Sequence, residues 1–147
     1  MDISADLTIS LTLKVGVVYK MEASELIGTK DPHYFVVVAI NDSNNYLLMS
    51  TTQMENRVTY LQKRGYDLDT LRLITPNNEN GLKKDSFFDC NEYYTISKNN
   101  LIDKLKNKKL ELSGNFSEEE YNLLVESINK SEKNDIPKFL LKYYNRQ

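Results

Sequence analysis

The amino-acid sequence predicts an α+β protein in which a small antiparallel β-barrel, or a strongly bent sheet, is followed by helices. Three observations favour this fold class. Short stretches rich in β-branched and aromatic residues, separated by turn residues, fill the chain as far as residue 97. After Thr95 the spacing of apolar residues changes from the alternation of strands to the periodicity of helices. A strong helix-start signal then follows at Ser117.

The composition is that of one ordinary globular domain. The chain has 147 residues, of which 40% are hydrophobic and 27% charged, so we expect a single domain over residues 1–147. The longest apolar run, "FVVVAI" at 35–40, is far too short to cross a bilayer, and no membrane partner is expected. The N-terminus carries aspartates where a secretory signal would carry positive charge, which favours a cytoplasmic location.

The numbers of cysteines and histidines and the distribution of charge limit the kinds of site that the chain can form. Cys90 and His33 are each the single residue of their type, which excludes an intramolecular disulfide and a Cys/His metal cluster. We therefore expect neither a metal nor another cofactor. Residues 1–97 carry 9 Lys and Arg against 13 Asp and Glu, whereas residues 98–147 carry 10 against 8. Because Lys and Arg hold phosphate backbones, this balance disfavours broad nucleic-acid binding but allows a local basic patch.

The first part of the chain is predicted to be mostly sheet. Apolar residues fall on odd positions over residues 3–19, which predicts one long strand or two strands bent at Gly16. "HYFVVVAI" (33–40) and "YLLMSTT" (46–52) flank the turn "NDSNN" and predict a hairpin whose first strand is buried on both faces. The segment 25–32 contains a glycine and a proline and is predicted to be a surface loop.

One helix is expected to interrupt the strands. Residues 53–65 place apolar side chains at i, i+4 and i+7 and end at a glycine, which predicts a short helix. Strands are predicted at 70–75, at Phe87–Phe88 and at Tyr93–Ile96. The predicted barrel therefore covers residues 3–97 with a helical insertion.

Residues 98–147 are predicted to be largely helical. Ser97 can cap a short helix, and 108–114 alternates like a strand before its glycine. Ser117, followed three residues later by a glutamate, forms a capping box for an amphipathic helix. A short terminal helix is expected at 136–144, with its proline at the first position.

Five segments follow one another in a recognisable order and spacing: "LKVGVVYKM" (13–21), "HYFVVVAI" (33–40), "YLLMSTTQ" (46–53), "DSFFDCNEYYTIS" (85–97) and "LSGNFSEEEYNLLVESI" (112–128). Over roughly residues 13–130 this pattern resembles the PemK/MazF-like toxin family. In that family a strand with G-x-V precedes a strand like R-P-V-V-V-I, and a later motif resembles V-x-C-D-Q-x-R-T-I-D.

The resemblance implies an SH3-like barrel, a homodimer and cleavage of single-stranded RNA without a metal. It also implies an antitoxin, protein or RNA, as a partner in a toxin-antitoxin or phage-defence system. The family's arginine before the central strand falls at His33 or Tyr34. Its arginine and aspartate beside the cysteine fall at Asp89 and Asn91. The sequence therefore departs from the family at its charged positions.

Metal-free RNA cleavage needs a base for the 2′-hydroxyl, a donor to the leaving oxygen and a cation for the phosphate. His33 titrates near neutral pH and is the natural acid or base; the alternative is a surface histidine after a loop proline. The resemblance aligns the family's threonine with Thr51 or Thr52 and its serine with Ser86. The threonines, at a strand end, could hold a phosphate or simply cap a turn.

Five cations are candidates for RNA binding, and the alternative is a solvated charged face. Three of them lie on the predicted helical insertion, where they could supply the missing phosphate cation. The five are Arg57, Lys63, Arg64, Lys83 and Lys84.

The remaining side chains with possible chemistry favour structural roles. Cys90 has no basic neighbour in sequence and is expected to be a buried apolar residue. The tyrosines could stack on bases but also fit the rim of a core. A second function is therefore kept open: a catalytically inactive barrel that acts by protein association, through the strand 3–12 or the helix 136–144.

Overall fold

Seven antiparallel strands and five α-helices form the part of the chain that the computed structural model describes, residues 4–51 and 54–141. The strands are β1 (Val17–Met21), β2 (His33–Ile40), β3 (Asn45–Thr51), β4 (Leu71–Ile74), β5 (Ser86–Asp89), β6 (Tyr94–Ile96) and β7 (Leu110–Asn115). The helices are α1 (Ala5–Thr12), α2 (Ser24–Ile27), α3 (Met54–Lys63), α4 (Lys98–Lys106) and α5 (Glu118–Lys130). Two 3₁₀ turns lie at Leu68–Thr70 and Lys138–Leu140. The α+β class predicted from the sequence is confirmed.

Strand β3 is where the sheet divides. The strands follow the order β4-β5-β3-β2-β1-β7, and β6 also pairs with β3. Asn45–Leu47 of β3 pair with β6, whereas Ser50 and Thr51 pair with β5. Two different strands thus share one edge of β3. Among the described strands, β4 and β7 end the sheet without pairing to each other, so the sheet is not closed into the predicted barrel.

The predicted central hairpin is confirmed. Strands β2 and β3 pair from Phe35↔Met49 to Ile40↔Asn45 around a turn in which Asn41 Oδ1 accepts the backbone N–H groups of Ser43 and Asn44. Residues 35–39 are buried on both faces, as the run of β-branched residues predicts.

The prediction of a strand over residues 3–12 is wrong. Residues 5–12 form α1, which begins at Ser4, whose hydroxyl accepts the N–H of Leu7. The apolar residues at odd positions give the wrong prediction because they do not all face the core. Ile9 is fully buried, whereas Leu7 and Leu11 are 48% and 69% exposed. The N-cap serine and the acidic Asp6 in the first turn were the signals of a helix.

Most of the other element predictions are confirmed with shifted ends, but the loop predicted at 25–32 and the helix predicted at 136–144 are not. The helical insertion is α3, and strands occur at all three later positions predicted before Ser97. Ser97 and Ser117 cap α4 and α5, and the capping box with Glu120 is complete. The segment 25–32 contains most of the short helix α2. Of the predicted terminal helix 136–144, the described part has one 3₁₀ turn, and residues 142–147 lie outside the described residues.

Two cores lie on opposite faces of the sheet. One face packs Val17, Tyr19, Phe35 and other residues against Ile9 of α1 and against α4. The opposite face packs against α5 and the C-terminal segment; its members include Val36, Leu48, Phe88, Tyr121 and Ile136. We call the first the α1/α4 face and the second the α5 face. The alternating strands thus bury their side chains in both directions.

The loop between β4 and β5 packs closely against β7 at two glycines, one in the loop and one in β7. Gly81 has φ 70°, and a Cβ there would lie 2.1 Å from the carbonyl oxygen of Ser113. A Cβ on Gly114 would lie 2.2 Å from the carbonyl oxygen of Glu79. The loop also holds the fully buried Asn80, whose amide donates to Glu120 at 2.8 Å. The same glutamate that caps α5 therefore organises this loop.

Gly81→Ala is expected to lower the free energy of unfolding by about 3 kcal/mol, because it adds a backbone clash to a left-handed conformation. Gly28→Ala is the matched control: φ is 79° there, but nothing lies within 4 Å of the added Cβ. The control should cost about 1 kcal/mol. Urea unfolding of both variants measures the difference, and equal losses would contradict the interlocked packing of Gly81.

Candidate functional site

Three of the predicted catalytic residues lie at the same end of three neighbouring strands. His33 begins β2, Thr51 ends β3, and Ser86 begins β5. The pairs Phe35↔Met49 and Thr51↔Phe87 align these strand ends across the sheet. Thr52 lies outside the described residues.

The strand alternation separates these residues by face. His33 and Thr51 each lie two positions from Phe35 and Met49, which pack on the α1/α4 face, so they point to that face. Ser86 lies two positions from Phe88, which packs on the α5 face. Its hydroxyl is buried and donates to the carbonyl of Lys84 at 3.0 Å. The structure therefore brings His33 and Thr51 to one face and places Ser86 on the other.

The imidazole of His33 has a defined orientation. Its Nδ1 lies 2.8 Å from the carbonyl oxygen of Asp31. A carbonyl can only accept, so Nδ1 carries the proton and Nε2 is the basic nitrogen of the neutral ring. A half-buried histidine held in this tautomer is able to accept a proton from a hydroxyl.

Arg57 reaches from α3 to the strand end beside Thr51. Its Nη1 lies 3.4 Å from Oδ2 of Asp89, and the two side chains are 25% and 8% exposed. Among the described residues, none donates a hydrogen bond of good geometry to this Oδ2, so the contact with Arg57 is one of charge. The pair occupies a narrow cleft of about 10 Å³, whose other lining residues are Met49, Thr51, Glu92 and Tyr94. The predicted cation is thus present, and an aspartate neutralises it.

The other oxygen of Asp89 points into the protein. Oδ1 accepts both the backbone N–H and the side-chain amide of Asn91, each at 3.0 Å. The same amide donates to Thr70 Oγ1 at 2.6 Å, and Asn91 Oδ1 accepts the hydroxyl of Ser131 at 2.7 Å. These groups are buried. Asn91 therefore joins β5, the 3₁₀ turn before β4 and the segment after α5.

A row of cations and one aromatic ring runs along α3. The guanidinium carbons of Arg57 and Arg64 lie 5.1 and 4.5 Å from the ring centroid of Tyr60. The spacing i, i+3, i+7 places all three on one side of the helix. Both distances are those of cation–π contacts, which hold the two arginines beside the ring. We call this set the α3 row.

A surface cavity of about 470 Å³ adjoins the α3 row. Tyr60 Oη donates to Glu92 at 3.4 Å, and Lys133 donates to the same carboxylate oxygen at 3.1 Å. Glu92 and Lys133 line the cavity with Asn91, Tyr93, Tyr94 and Asp135. It therefore offers aromatic rings together with charges of both signs.

Besides Tyr94, whose pKa is raised mainly by burial, two residues of this cavity have shifted pKa values. The hydrogen bond from Tyr93 to Asp135, 2.6 Å long, raises the pKa of Tyr93 to about 12, with burial as a smaller cause. Burial is the largest influence on the pKa of Lys133 and would lower it, but the hydrogen bond and charge of Glu92 outweigh burial and raise it. Both side chains therefore keep their protons at neutral pH.

The other predicted residues are not members of this row. Lys63 is exposed at the end of α3, and Lys83 and Lys84 are exposed in the loop before β5. Cys90 is fully buried, and burial raises the pKa of its thiol, in keeping with the predicted apolar role. Among the described residues, no group of three or more His, Cys, Asp or Glu is placed to hold a metal.

The network around Asn91 is what sequence reasoning missed. The signal was the "DCN" at 89–91, because an Asp whose side chain accepts the N–H two residues on is a common turn. Asp89 and Asn91 thus hold this turn together.

Comparison with known proteins assigns no family. No protein-family model matches the chain, and no curated protein is significantly similar to it. No helix of the described residues is both long and apolar enough to cross a bilayer.

Asn91→Ala is expected to lower the free energy of unfolding by about 3 kcal/mol, because it leaves Thr70, Ser131 and Asp89 short of buried hydrogen bonds. The control is Asn99→Ala on the exposed side of α4, which should change stability by less than about 0.5 kcal/mol. Urea unfolding measures both. A loss for Asn91→Ala no greater than the control's would mean that the network does not hold these segments together.

Proposed function

We propose that the chain is an RNA-binding relative of the PemK/MazF-like toxins, which holds single-stranded RNA against the α3 row. The observation that carries this proposal is the position of Arg57 and Arg64 on either side of one tyrosine, next to the strand end with Thr51. Proteins hold single-stranded RNA by combining cations for the phosphates with aromatic rings for the bases.

The spacing of the row suits successive phosphates. Arg57 and Arg64 are seven residues apart, which is about 10 Å along an α-helix. Lys63 lies next to Arg64 and adds a third cation, which is exposed. A phosphate backbone crossing α3 would therefore meet more than one cation.

The adjoining cavity suits a base. Its tyrosines, Tyr93 and Tyr94, offer ring faces for stacking. The carboxylates of Glu92 and Asp135 can accept hydrogen bonds from the exocyclic amino group of a base such as cytosine. RNA with splayed bases would place phosphates on α3 and a base in the cavity.

Asp89 decides between binding and cleavage. Metal-free cleavage needs a cation on the phosphate in its transition state, and Arg57 is the described cation beside Thr51. While Asp89 holds the guanidinium, that charge is neutralised. We therefore propose binding as the main activity, with cleavage by His33 and the threonines limited by the ion pair.

The remaining parts of the proposal rest on the family resemblance. An SH3-like origin of the sheet, a homodimer, an antitoxin partner and a cytoplasmic location all belong to it. The sheet, in which β5 and β6 share one edge of β3, is compatible with a barrel that has opened.

One of the two surfaces predicted for protein association does not have the predicted structure. It used a strand edge at 3–12, and residues 5–12 are helical. Its second surface, 136–144, is described only as far as Leu141. RNA binding has the more specific support.

Arg64→Gln is expected to weaken binding of a fluorescein-labelled single-stranded RNA by about fivefold at low salt, because a phosphate loses one cation. The slope of log affinity against log salt should fall by about 0.7, the value for one contact to a single strand. Fluorescence anisotropy measures both, with Lys14→Gln as an exposed control outside α3. If Arg64→Gln and Lys14→Gln bind alike, the α3 row does not hold the RNA.

Asp89→Asn is expected to tighten RNA binding by about tenfold, because the amide keeps the acceptor for Asn91 but removes the charge that competes for Arg57. The variant should also cleave the RNA faster than the unchanged protein in the presence of EDTA, as followed on a gel. Adding Arg57→Gln should abolish both gains. Unchanged affinity in Asp89→Asn would show that Asp89 does not compete with phosphate.

A further inference from the structure

The turn between α4 and β7 holds a lysine in a backbone conformation that favours glycine. Lys108 has φ 60°, the single positive φ of a non-glycine residue in the described part of the chain. The N–H of Lys108 donates to Leu105 at 3.1 Å, and that of Lys109 donates to Lys104 at 2.8 Å. These two bonds define a Schellman motif, in which the left-handed position is usually a glycine.

This choice of residue has a cost in stability. A side chain in the left-handed region costs about 1 kcal/mol compared with glycine. Strained positions of this kind tend to occur where the side chain has a function. The ammonium group of Lys108 is therefore a candidate for such a function.

Lys108 lines a surface cavity of about 400 Å³ beside the end of β1. Two further lysines, Lys20 and Lys109, line the same cavity. Its apolar wall is made of Pro32, Leu105 and Leu110, and its two carboxylates are Glu22 and Glu111. The volume is within the range of small-molecule sites.

The charges of the three cavity lysines are not needed to stabilise the C-terminal end of α4. The C-terminal end of a helix attracts cations, and α4 has two within its last turn. Lys104 pairs with Glu25 at 2.8 Å and Lys106 with Asp6 at 4.0 Å. By contrast, none of the ion pairs among the described residues involves the three lysines of the cavity.

One lysine of the cavity also acts on a neighbouring carboxyl. Burial is the largest influence on the pKa of Glu25 and would raise it, but the hydrogen bond from Lys104, a backbone hydrogen bond and the charge of Lys104 outweigh burial and lower it. The charge of Lys109 adds a smaller influence in the same direction. Most of this shift therefore comes from Lys104, which does not line the cavity.

We propose that this cavity binds a nucleoside phosphate, either free or as one unit of an RNA strand. The ammonium groups of Lys20, Lys108 and Lys109 would hold the phosphate. The leucines and the proline would contact the base or sugar, and the carboxylates would accept hydrogen bonds from ribose hydroxyls. Lys20 is already oriented by the ring of Tyr34, 5.5 Å from its ammonium group.

The position of the cavity connects it with the candidate site. Met21, between Lys20 and Glu22, pairs with His33 across β1 and β2. The strand ends that carry His33 and Thr51 therefore lie at the same end of the sheet as the cavity. An RNA strand held at α3 could extend along this end of the sheet, but a free nucleotide would use the same lysines.

Two variants of Lys108 test the proposal in the full chain. Isothermal titration calorimetry with ATP at low salt is expected to show binding, weakened about fivefold in Lys108→Gln through loss of one charge. Lys108→Gly should weaken ATP binding equally while raising the melting temperature, because it removes the left-handed strain. Lys98→Gln, at the exposed other end of α4, removes the same charge and should leave ATP binding unchanged.

Binding of the labelled RNA shows whether the phosphate in the cavity belongs to a free nucleotide or to an RNA strand. If Lys108→Gln weakens both ATP and RNA binding, the cavity holds a unit of the strand; if it weakens only ATP binding, the ligand is a free nucleotide. Binding of ATP that Arg64→Gln leaves unchanged would support the cavity even if RNA binding at α3 failed. The proposal is overturned if ATP does not bind, or if Lys108→Gln and Lys98→Gln bind it alike.

Discussion

Asp89 makes the contact on which the candidate site depends. Its Oδ1 accepts two hydrogen bonds from Asn91 in the interior, and its Oδ2 faces Arg57 at the surface. Asn91 in turn bonds Thr70 and Ser131, so this one carboxylate connects a buried network to α3. Leaving a buried carboxylate without a partner is costly, and this cost favours keeping Arg57 where it is. This arrangement explains the position of α3, the narrow cleft beside Thr51 and the neutralised charge of Arg57.

Much of the fold could be predicted from local patterns. The β2–β3 hairpin, the helix with its capping box and the change from sheet to helix after β6 are all present, because each depends on neighbours in sequence. The N-terminal segment could not be predicted in the same way. Its alternating apolar residues indicate a strand, yet Ile9 faces the core while Leu7 and Leu11 face outwards on a helix. Which leucines are buried depends on α4 and β1, and this tertiary packing overrides the alternation.

The candidate site was predictable only in part. The helical insertion and its cations could be located from periodicity and a terminal glycine, and the strand end with Thr51 from the hairpin. The pairing of Arg57 with Asp89 joins residues 32 positions apart, as does the bond between Tyr60 and Glu92. Such contacts depend on how β5 and β6 divide the edge of β3. The lysine cavity likewise brings together β1, the loop before β2 and the α4–β7 turn.

RNA binding by the α3 row and its adjoining cavity, as proposed, is tested most directly by titrating the ¹⁵N-labelled full chain with a short single-stranded RNA and following the titration by NMR. We expect chemical-shift changes to concentrate at Arg57–Arg64 and at Glu92–Tyr94, with the side-chain signal of Arg57 moving as its contact with Asp89 changes. Chemical-shift changes that avoid α3, or a spectrum that the RNA does not alter, would show that RNA does not bind at this site.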